Sequence, residues 1–543
     1  MAGCMGMISL DKTQAATKTG EPSGSVVLAG MSWIAGMSWI VAVGLVVAQL
    51  ATVLASSKTA WFLALCTSIG LFGTLIILRF FTTRHQSGSA LPRFTPRFNS
   101  PSADTQPADT QPVVNPLANR TWSWFTFAAM MLILMMGLVK APHRSNDVYA
   151  YGAYGRLVSE HSVSPYTTRP SEFPTDPVIA RMASGWRNTR SVYGPAFTAV
   201  SAVGMRIAGT SALIERLWFQ ILAATATGLS ALLLKRMAPQ SWWLFALNPI
   251  TLIVVAHEGH NDALVGLGIL SALLFIRRGF PQPTILHRAF LKRGFPQRTD
   301  GTTPSSSRFI HGAVGSLVFA ASIKITAILA VPAVAMWILG RVGWKRAARI
   351  FGGWAIVCLG LFVATGGASA FGAFRGLRTF RSTTSLWHLD VIRQLTDHPG
   401  GKPGPLALTF PALLIAATGL LVMWRSWYAS ASYGSQHKVH KHPYDFPTLV
   451  AMTLIPLIIF ITFGLYILPW YWGWLLAPAV LVPTRFRFLV FFAAAAHTIA
   501  YGAGTRTQGP LATVLHIARF IAPLAFIAVL VTGIVAILYR PAE

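Results

Sequence analysis

The stretch SNDVYAYGAYGRLVSEHSVSPY (Ser145–Tyr166), continued to WRNTRSVYGP (Trp186–Pro195), is a polar island in an apolar chain. Asp147, Arg156, Glu160, Glu172, Asp176 and Arg187 all fall inside it. On both sides the sequence runs mostly to Leu, Ala, Val, Ile and Phe. Of 543 residues, 53% are hydrophobic and 11% charged. Soluble domains carry about a quarter charged residues. Many windows approach the roughly 20 apolar residues that cross a hydrocarbon core. Lipid offers the backbone no hydrogen bonds, so only helices or a closed barrel can span it. The apolar runs show no period-two alternation, which excludes a barrel. The expected fold class is an all-α polytopic membrane protein.

Upstream of the island, residues 1–25 are polar and lack a signal-peptide layout. The first apolar segment, Met31–Leu54, contains a short tandem repeat, GMSWIAGMSWI (Gly30–Ile40). A second segment is Thr59–Leu78. The stretch from Arg79 to Arg120 is rich in Pro, Ser and Arg and repeats DTQPADTQP, which reads as a flexible linker. Its arginines assign it to the cytoplasm. The third segment, Trp122–Val139, then delivers the island to the extracytoplasmic side. Helical spacing is expected over Val148–Val158, with turns at SPY and FPTDP.

Downstream, Ala196–Leu234 reads either as two crossings or as one crossing with a re-entrant piece. Trp242–Ala256 follows, with a kink expected at Asn248-Pro249. A second polar cluster, Glu258-Gly-His-Asn-Asp262, ends it. Ala263–Ile276 returns to a basic loop, Arg277–Arg308. Phe309–Gly340 is apolar apart from Ser322-Ile-Lys324-Ile-Thr326. Its flanks are basic, so it reads as a hairpin with Lys324 near the outer turn. Ala347–Gly367, Leu406–Trp424 and Thr448–Leu468 are further crossings, with His437–His442 in an inner loop. Pro469-Trp470-Tyr471-Trp472 reads as an interfacial aromatic belt. Gly473–Val482, Phe488–Tyr501 and Ile517–Leu538 complete a count of about 13–14 crossings by the positive-inside argument.

Net charge is +28. The basic residues cluster in loops between apolar segments, which fits membrane topology and anionic headgroups or a phosphorylated lipid rather than nucleic acid. The three cysteines show neither disulfide nor zinc spacing. HxxxH and DxD spacings are absent as well. No cofactor is expected, and a divalent metal is not indicated.

Only 16 residues are acidic, and Asp147, Glu160, Glu172, Asp176, Glu215, Glu258 and Asp262 lie between Ser145 and Asp262. An ionisable group at a membrane boundary is costly and usually has a role. Asp147 suits a helix N-cap and equally a general base. His260, Asn261 and Asp262 suit a cap for the next helix, or binding of a phosphate or sugar at that helix end. Lys324 reads as a snorkelling lysine or as the neutraliser of a phosphate leaving group. Arg156, Arg187, Arg375, Arg378 and Arg381 are weaker candidates for the same role. Tyr149, Tyr151, Trp186, Tyr193 and Trp387 are candidates to stack on sugar faces. Glu160, Glu172 and Asp176 read as loop structure or acceptor contacts. A transporter or flippase for a lipid-linked or anionic substrate is the main alternative, but no inverted repeat supports it.

NDVYAYGAYGR (Asn146–Arg156), SPY (Ser164–Tyr166), WRNTRSVYGP, LNP (Leu247–Pro249), GHNDAL (Gly259–Leu264) and SIKITA (Ser322–Ala327) carry a resemblance. The chain resembles the actinobacterial polyprenol-phosphomannose-dependent α-1,6-mannosyltransferases of the GT-C superfamily of membrane glycosyltransferases. In SIKITA, Ile325 stands where that family is expected to have proline. The resemblance implies a GT-C-like helix bundle with a large first extracytoplasmic loop (141–195). It covers a catalytic core over 122–340 but not the basic insertion at 277–308 or the N-terminal 120 residues; the apolar segments themselves give an N-terminal region with two membrane helices (1–121) and a C-terminal membrane region (341–543). The resemblance implies a plasma-membrane enzyme of cell-envelope biosynthesis with an extracytoplasmic site. The donor would be polyprenyl-phosphate-mannose and the acceptor a lipid-linked mannan, as in lipomannan and lipoarabinomannan assembly, with inversion at the sugar. By position Asp147 matches the acidic catalytic residue of that family's loop, which here would act as general base. From the residues themselves, Arg156, Tyr193, His260, Asn261, Asp262 and Lys324 are the candidate substrate-binding side chains.

Overall fold

The computed structural model describes residues 24–86, 116–280, 304–366, 369, 380–397, 403–432, 446–503 and 510–538. Most of the Arg79–Arg120 linker, most of the basic loop Arg277–Arg308, Arg375, Arg378 and His437–His442 lie outside these residues. The described residues contain no β-strand, only one isolated bridge between Asp397 and Pro403. The chain is an all-α polytopic membrane protein.

The principal helices are α1 (Gly24–Leu54), α2 (Lys58–Gln86), α3 (Pro116–Val139), α4 (Asp147–Ser159), α5 (Pro195–Ala208), α6 (Ala212–Met237) and α7 (Asp262–Gly279). They continue with α8 (Pro304–Ile323), α9 (Val331–Val342), α10 (Trp344–Thr365), α11 (Pro405–Ser432), α12 (Phe446–Phe463), α13 (Thr484–Ala503) and α14 (Pro510–Leu538). Among the described residues, seven helices are long and apolar enough to cross a membrane, and four apolar helices are shorter. The ambiguous stretch 196–234 resolves into the short α5 and the long α6. Pro195 starts α5 at the first helical position, where its missing N–H costs nothing. Gly209, at φ 55°, ends it. Ser211 then opens α6, its hydroxyl accepting from the Ile214 N–H.

Burial sorts the helices radially. In α12, 78% of the apolar window is buried, against 17% in α10. α12 therefore lies inside the bundle. α10 turns Ile356, Leu359 and Val363 outward, as a lipid-facing helix does.

Two segments are irregular, the first of them at its expected kink. Trp242–Ala256 is not one regular helix. Asn248 Oδ1 accepts from the Ile250 N–H at 2.9 Å, and Pro249 follows directly. A four-residue helix (Trp243–Ala246) thus gives way to a π-helix, Ile250–His257, buried throughout. Irregular backbone at such depth is tolerated where protein covers it. Gly473–Val482 is not one regular helix either. It holds the end of a 3-10 turn (Pro469–Trp474) and a four-residue helix (Leu476–Ala479). These two breaks lower the count of regular spanning helices.

The polar island folds as anticipated around α4. Val148, Tyr151, Tyr154 and Leu157 are buried. A Cβ at Gly155 would stand 2.5 Å from the Ser201 carbonyl oxygen of α5. The glycine is what lets the two helices approach that closely.

Candidate active site

Helix ends converge at one end of the bundle. The chain leaves α3 at Val139 and enters α4 at Asp147. Glu258 fixes the connection between them. Its buried carboxylate accepts from the backbone N–H groups of His143 (2.9 Å), Arg144 (3.1 Å) and Ser145 (2.9 Å). Charge-assisted bonds of this kind are stronger than neutral ones. Ser145 in turn accepts from the Asp147 N–H through its hydroxyl, at 3.1 Å. Glu258 thereby sets where α4 begins. Gly259 turns the chain at φ 74°, a region that disfavours side chains. His260, Asn261 and Asp262 follow at the start of α7.

Asp147 and His260 meet here. Asp147 Oδ2 lies 3.5 Å from His260 Nδ1, and the His260 ring is fully buried. Trp470 stacks on that ring with centroids 4.0 Å apart and planes 11° apart. The Tyr151 hydroxyl is also 3.5 Å from His260 Nδ1. Burial first, and the Asp147 carboxylate among the neighbouring charges, hold the phenols of Tyr151, Tyr193, Tyr466 and Tyr471 above their ordinary values. Asp147 thus faces a wall of neutral phenols.

Lys324 and Asp262 form the second pair. The Lys324 ammonium donates to Asp262 Oδ1 at 3.0 Å. Trp474 donates to the same oxygen through its indole N–H. The ammonium also sits 4.0 Å from the centroid of the Tyr471 ring. Lys324 has extended backbone angles (φ −148°, ψ 116°) between α8 and a 3-10 turn, so its side chain leaves the helix line at a break. The adjacent Ile323 carbonyl accepts from the Gly194 N–H at 2.9 Å, tying the end of the island to this break.

The capping alternatives do not hold for these side chains. Asn146 and Asn261 occupy the N-cap positions of α4 and α7 without a side-chain cap hydrogen bond. Asn261 Oδ1 and Nδ2, Asp262 Oδ2 and His260 Nε2 are buried and have no hydrogen-bond partner among the described residues. Buried polar groups are normally satisfied. Four orphaned atoms thus fall on three consecutive residues beside the Asp147 and Lys324 contacts.

Other candidates lie elsewhere. Arg156 is committed to Asp176 (3.0 Å) and Glu160 (3.2 Å). His161 bonds the same Asp176 oxygen at 2.9 Å. Arg156 therefore belongs to an ion-pair network that shapes the island, not to the Asp147–Lys324 cluster. Burial pushes the Asp176 carboxyl up, but Arg156, the Val178 N–H and His161 outweigh it and hold it below the ordinary range. Arg187 donates to the Met182 carbonyl, and Glu172 accepts from the Arg169 N–H. Glu215 pairs with Arg181 at 2.6 Å. Arg381 pairs with Asp397. Trp186 stacks on Phe380, and Trp387 donates to the Phe463 carbonyl. Tyr193 does approach the site, its ring 4.9 Å edge-on from Tyr151.

The aromatic belt is a correction. Trp470, Tyr471 and Trp472 are buried at 5%, 8% and 0% exposure, so they line protein, not the lipid interface. Trp470, Tyr471 and Trp474 are walls of the site. Their composition is that of an interfacial belt, and no local signal separates the two roles.

Comparison with known proteins follows the same residues. A family model described as alpha-(1->6)-mannopyranosyltransferase, N-terminal domain, matches residues 22–340. That range includes Asp147, His260–Asp262 and Lys324, and stops before Trp470. Two curated proteins are similar, both alpha-(1->6)-mannopyranosyltransferase A. The one from Corynebacterium glutamicum is 26% identical over 163 residues, 28% of this chain and 32% of its own length. The one from Mycobacterium tuberculosis is 27% identical over 156 residues, 27% of this chain and 30% of its own length. The chain thus aligns with about a third of the length of these relatives. No solved structure matches it. With more than half of its length matched by the family model, the chain belongs to the alpha-(1->6)-mannopyranosyltransferase family.

Proposed function

We propose that the protein is an inverting membrane mannosyltransferase. It transfers mannose from polyprenyl-phosphate-mannose to a lipid-linked mannan, forming an α-1,6 linkage on the extracytoplasmic face of the plasma membrane. Family membership supports the sugar and the linkage. One observation carries the site: Asp147 and the Lys324–Asp262 pair flank the orphaned polar atoms of His260, Asn261 and Asp262.

A single displacement needs a base on one side of the sugar and charge stabilisation on the other. Asp147 takes the proton of the acceptor hydroxyl. The acceptor oxygen bonds the anomeric carbon as the carbon–oxygen bond to phosphate breaks. Polyprenyl phosphate leaves with the electron pair. Lys324 gives one of its three N–H donors to Asp262, which leaves two for phosphate oxygens. His260, clamped by Trp470, orients Asp147. The orphaned amide of Asn261 and the free oxygen of Asp262 bind sugar hydroxyls. The basic flanks of the surrounding segments support the outward face, and the lipid-linked donor rests on the resemblance to polyprenol-phosphomannose-dependent enzymes.

The experiment supplies purified full-length protein with polyprenyl-phosphate-mannose or a nucleotide sugar, against a panel of lipid-linked mannan acceptors. Transfer from the lipid donor with an α-1,6 product is expected. Transfer only from the nucleotide sugar, or a β-linked product, refutes the assignment.

A further inference from the structure

His143 and His257 face each other behind the site, and their outer nitrogens fix their protonation. His143 Nε2 lies 2.7 Å from the Ala55 carbonyl oxygen, in the turn between α1 and α2. His257 Nδ1 lies 2.8 Å from the Gly137 carbonyl oxygen of α3. A carbonyl only accepts, so each of these nitrogens carries the proton. In neutral rings the two inner nitrogens, His143 Nδ1 and His257 Nε2, then both present lone pairs. They stand 3.3 Å apart. Two lone pairs at that distance repel unless a positive centre joins them.

The surroundings favour a metal ion as that centre. Two imidazole nitrogens 2.0–2.1 Å from one tetrahedral ion stand about 3.3–3.4 Å apart, matching this pair. The Glu258 carboxylate completes the group, with one ligand atom from each residue all within 4.8 Å of one another. Imidazoles that bind metal almost always donate their other N–H to a carbonyl or carboxylate, as both do here. The neighbouring cations turn away. Arg144 donates to the Gly502 carbonyl and lies over Trp61, while Arg216 donates to the Leu138 carbonyl and to Gln220 Oε1.

We propose that His143, His257 and Glu258 form a binding site for a divalent first-row transition ion. Two imidazoles and a carboxylate suit zinc best, with cobalt a spectroscopic substitute. The ion would clamp the α1–α2 turn, the end of α3 and the segment entering α4 onto the π-helix. Its role is to hold Ser145 and hence Asp147 in place, apart from the transfer chemistry itself.

The test uses full-length protein in detergent, carrying no histidine tag, passed over a chelating resin and analysed for metal. Wild-type protein and His311→Gln are expected to retain close to one zinc per chain. His143→Gln and His257→Gln are expected to lose it, with zinc affinity down by more than about 100-fold. Wild-type protein stripped with a strong chelator is expected to take up Co2+ with the visible d–d bands of a tetrahedral site. That readout does not depend on whether the variants fold. Stripped wild-type protein that binds neither Zn2+ nor Co2+ overturns the proposal and leaves a shared proton between the two rings. Metal content in both histidine variants equal to wild type also overturns it.

Discussion

Asp147 Oδ2 lies 3.5 Å from His260 Nδ1, and the ring that carries this nitrogen is stacked on Trp470. The loop acid is therefore oriented from two distant parts of the chain. The π-helix turn supplies the imidazole, and the segment after α12 supplies the surface that stops it rotating. Glu258 sets the start of α4 from the same turn. Functional side chains held by a second layer of contacts keep their geometry better than side chains on a free loop.

Asp147→Asn keeps the size of the side chain and removes the base. Transfer is expected to fall by about 100-fold to 10,000-fold, the range of general-base contributions. Thermal unfolding in detergent is expected to stay unchanged, because among the described residues Asp147 Oδ2 makes just the long contact to His260. A variant with wild-type turnover removes Asp147 from the mechanism.

Trp470→Ala frees the His260 ring, whereas Trp470→Phe keeps a stacking face. An aromatic pair contributes about 0.5–1.5 kcal/mol beyond area burial. The alanine variant is expected to lose about 10-fold in kcat, that energy converted to rate at its upper end. The phenylalanine variant should recover most of it. Equal losses in the two variants would show that stacking is irrelevant and that only cavity formation matters.

Lys324→Met leaves Asp262 buried without its cation, and Asp262→Asn leaves the ammonium without its anion. Removing one partner of a buried pair costs about 3–5 kcal/mol. Lys324→Met is expected to lower the unfolding temperature and to weaken donor use more than acceptor use. The double variant Lys324→Met/Asp262→Asn should unfold at a higher temperature than the sum of the two single losses implies. Strict additivity in that double-mutant cycle is the result that defeats the coupling.

The island should respond to acid through Asp176. Its folded carboxyl titrates below the ordinary carboxylate value, so the folded state binds the proton more weakly than the unfolded chain does. Stability from this group is full above the ordinary value and is lost as pH falls toward and through the folded one. Unfolding temperature followed from neutral to acid pH should show this loss in wild type. Asp176→Asn, less stable at neutral pH, should show a flatter acid limb. An unchanged acid limb in that variant would assign the transition to another group.

Much of the architecture is legible from local pattern. Apolar windows of membrane length locate α1, α2, α3, α6, α10 and α12. The spacing over Val148–Val158 anticipates α4, and Asn248-Pro249 anticipates the break before the π-helix. Rare acids in an apolar chain mark Asp147, Glu258 and Asp262 together with Glu160, Glu172, Asp176 and Glu215, and the lone Lys324 falls at its expected discontinuity. The same pattern does not show the irregular backbone at Gly473–Val482, which holds the end of a 3-10 turn and a four-residue helix. It also misreads Trp470 and Tyr471, since a ring that suits a membrane interface equally suits the wall of a polar site. Arg156 looks like a free cation in the sequence and is in fact absorbed by Asp176 and Glu160.

The sequence by itself determined the solvent, the helical class and which few polar residues carry a cost that must be met. Those follow from the length of apolar windows and from the energy of placing a charge beside lipid, both local properties. Only the tertiary structure decided the pairings. Trp474 reaches Asp262 from 212 positions away, Lys324 reaches it from 62, and His143 meets His257 across 114. Contacts at such separations depend on how the helices pack, and no periodicity within one segment records which end of another helix will lie against it.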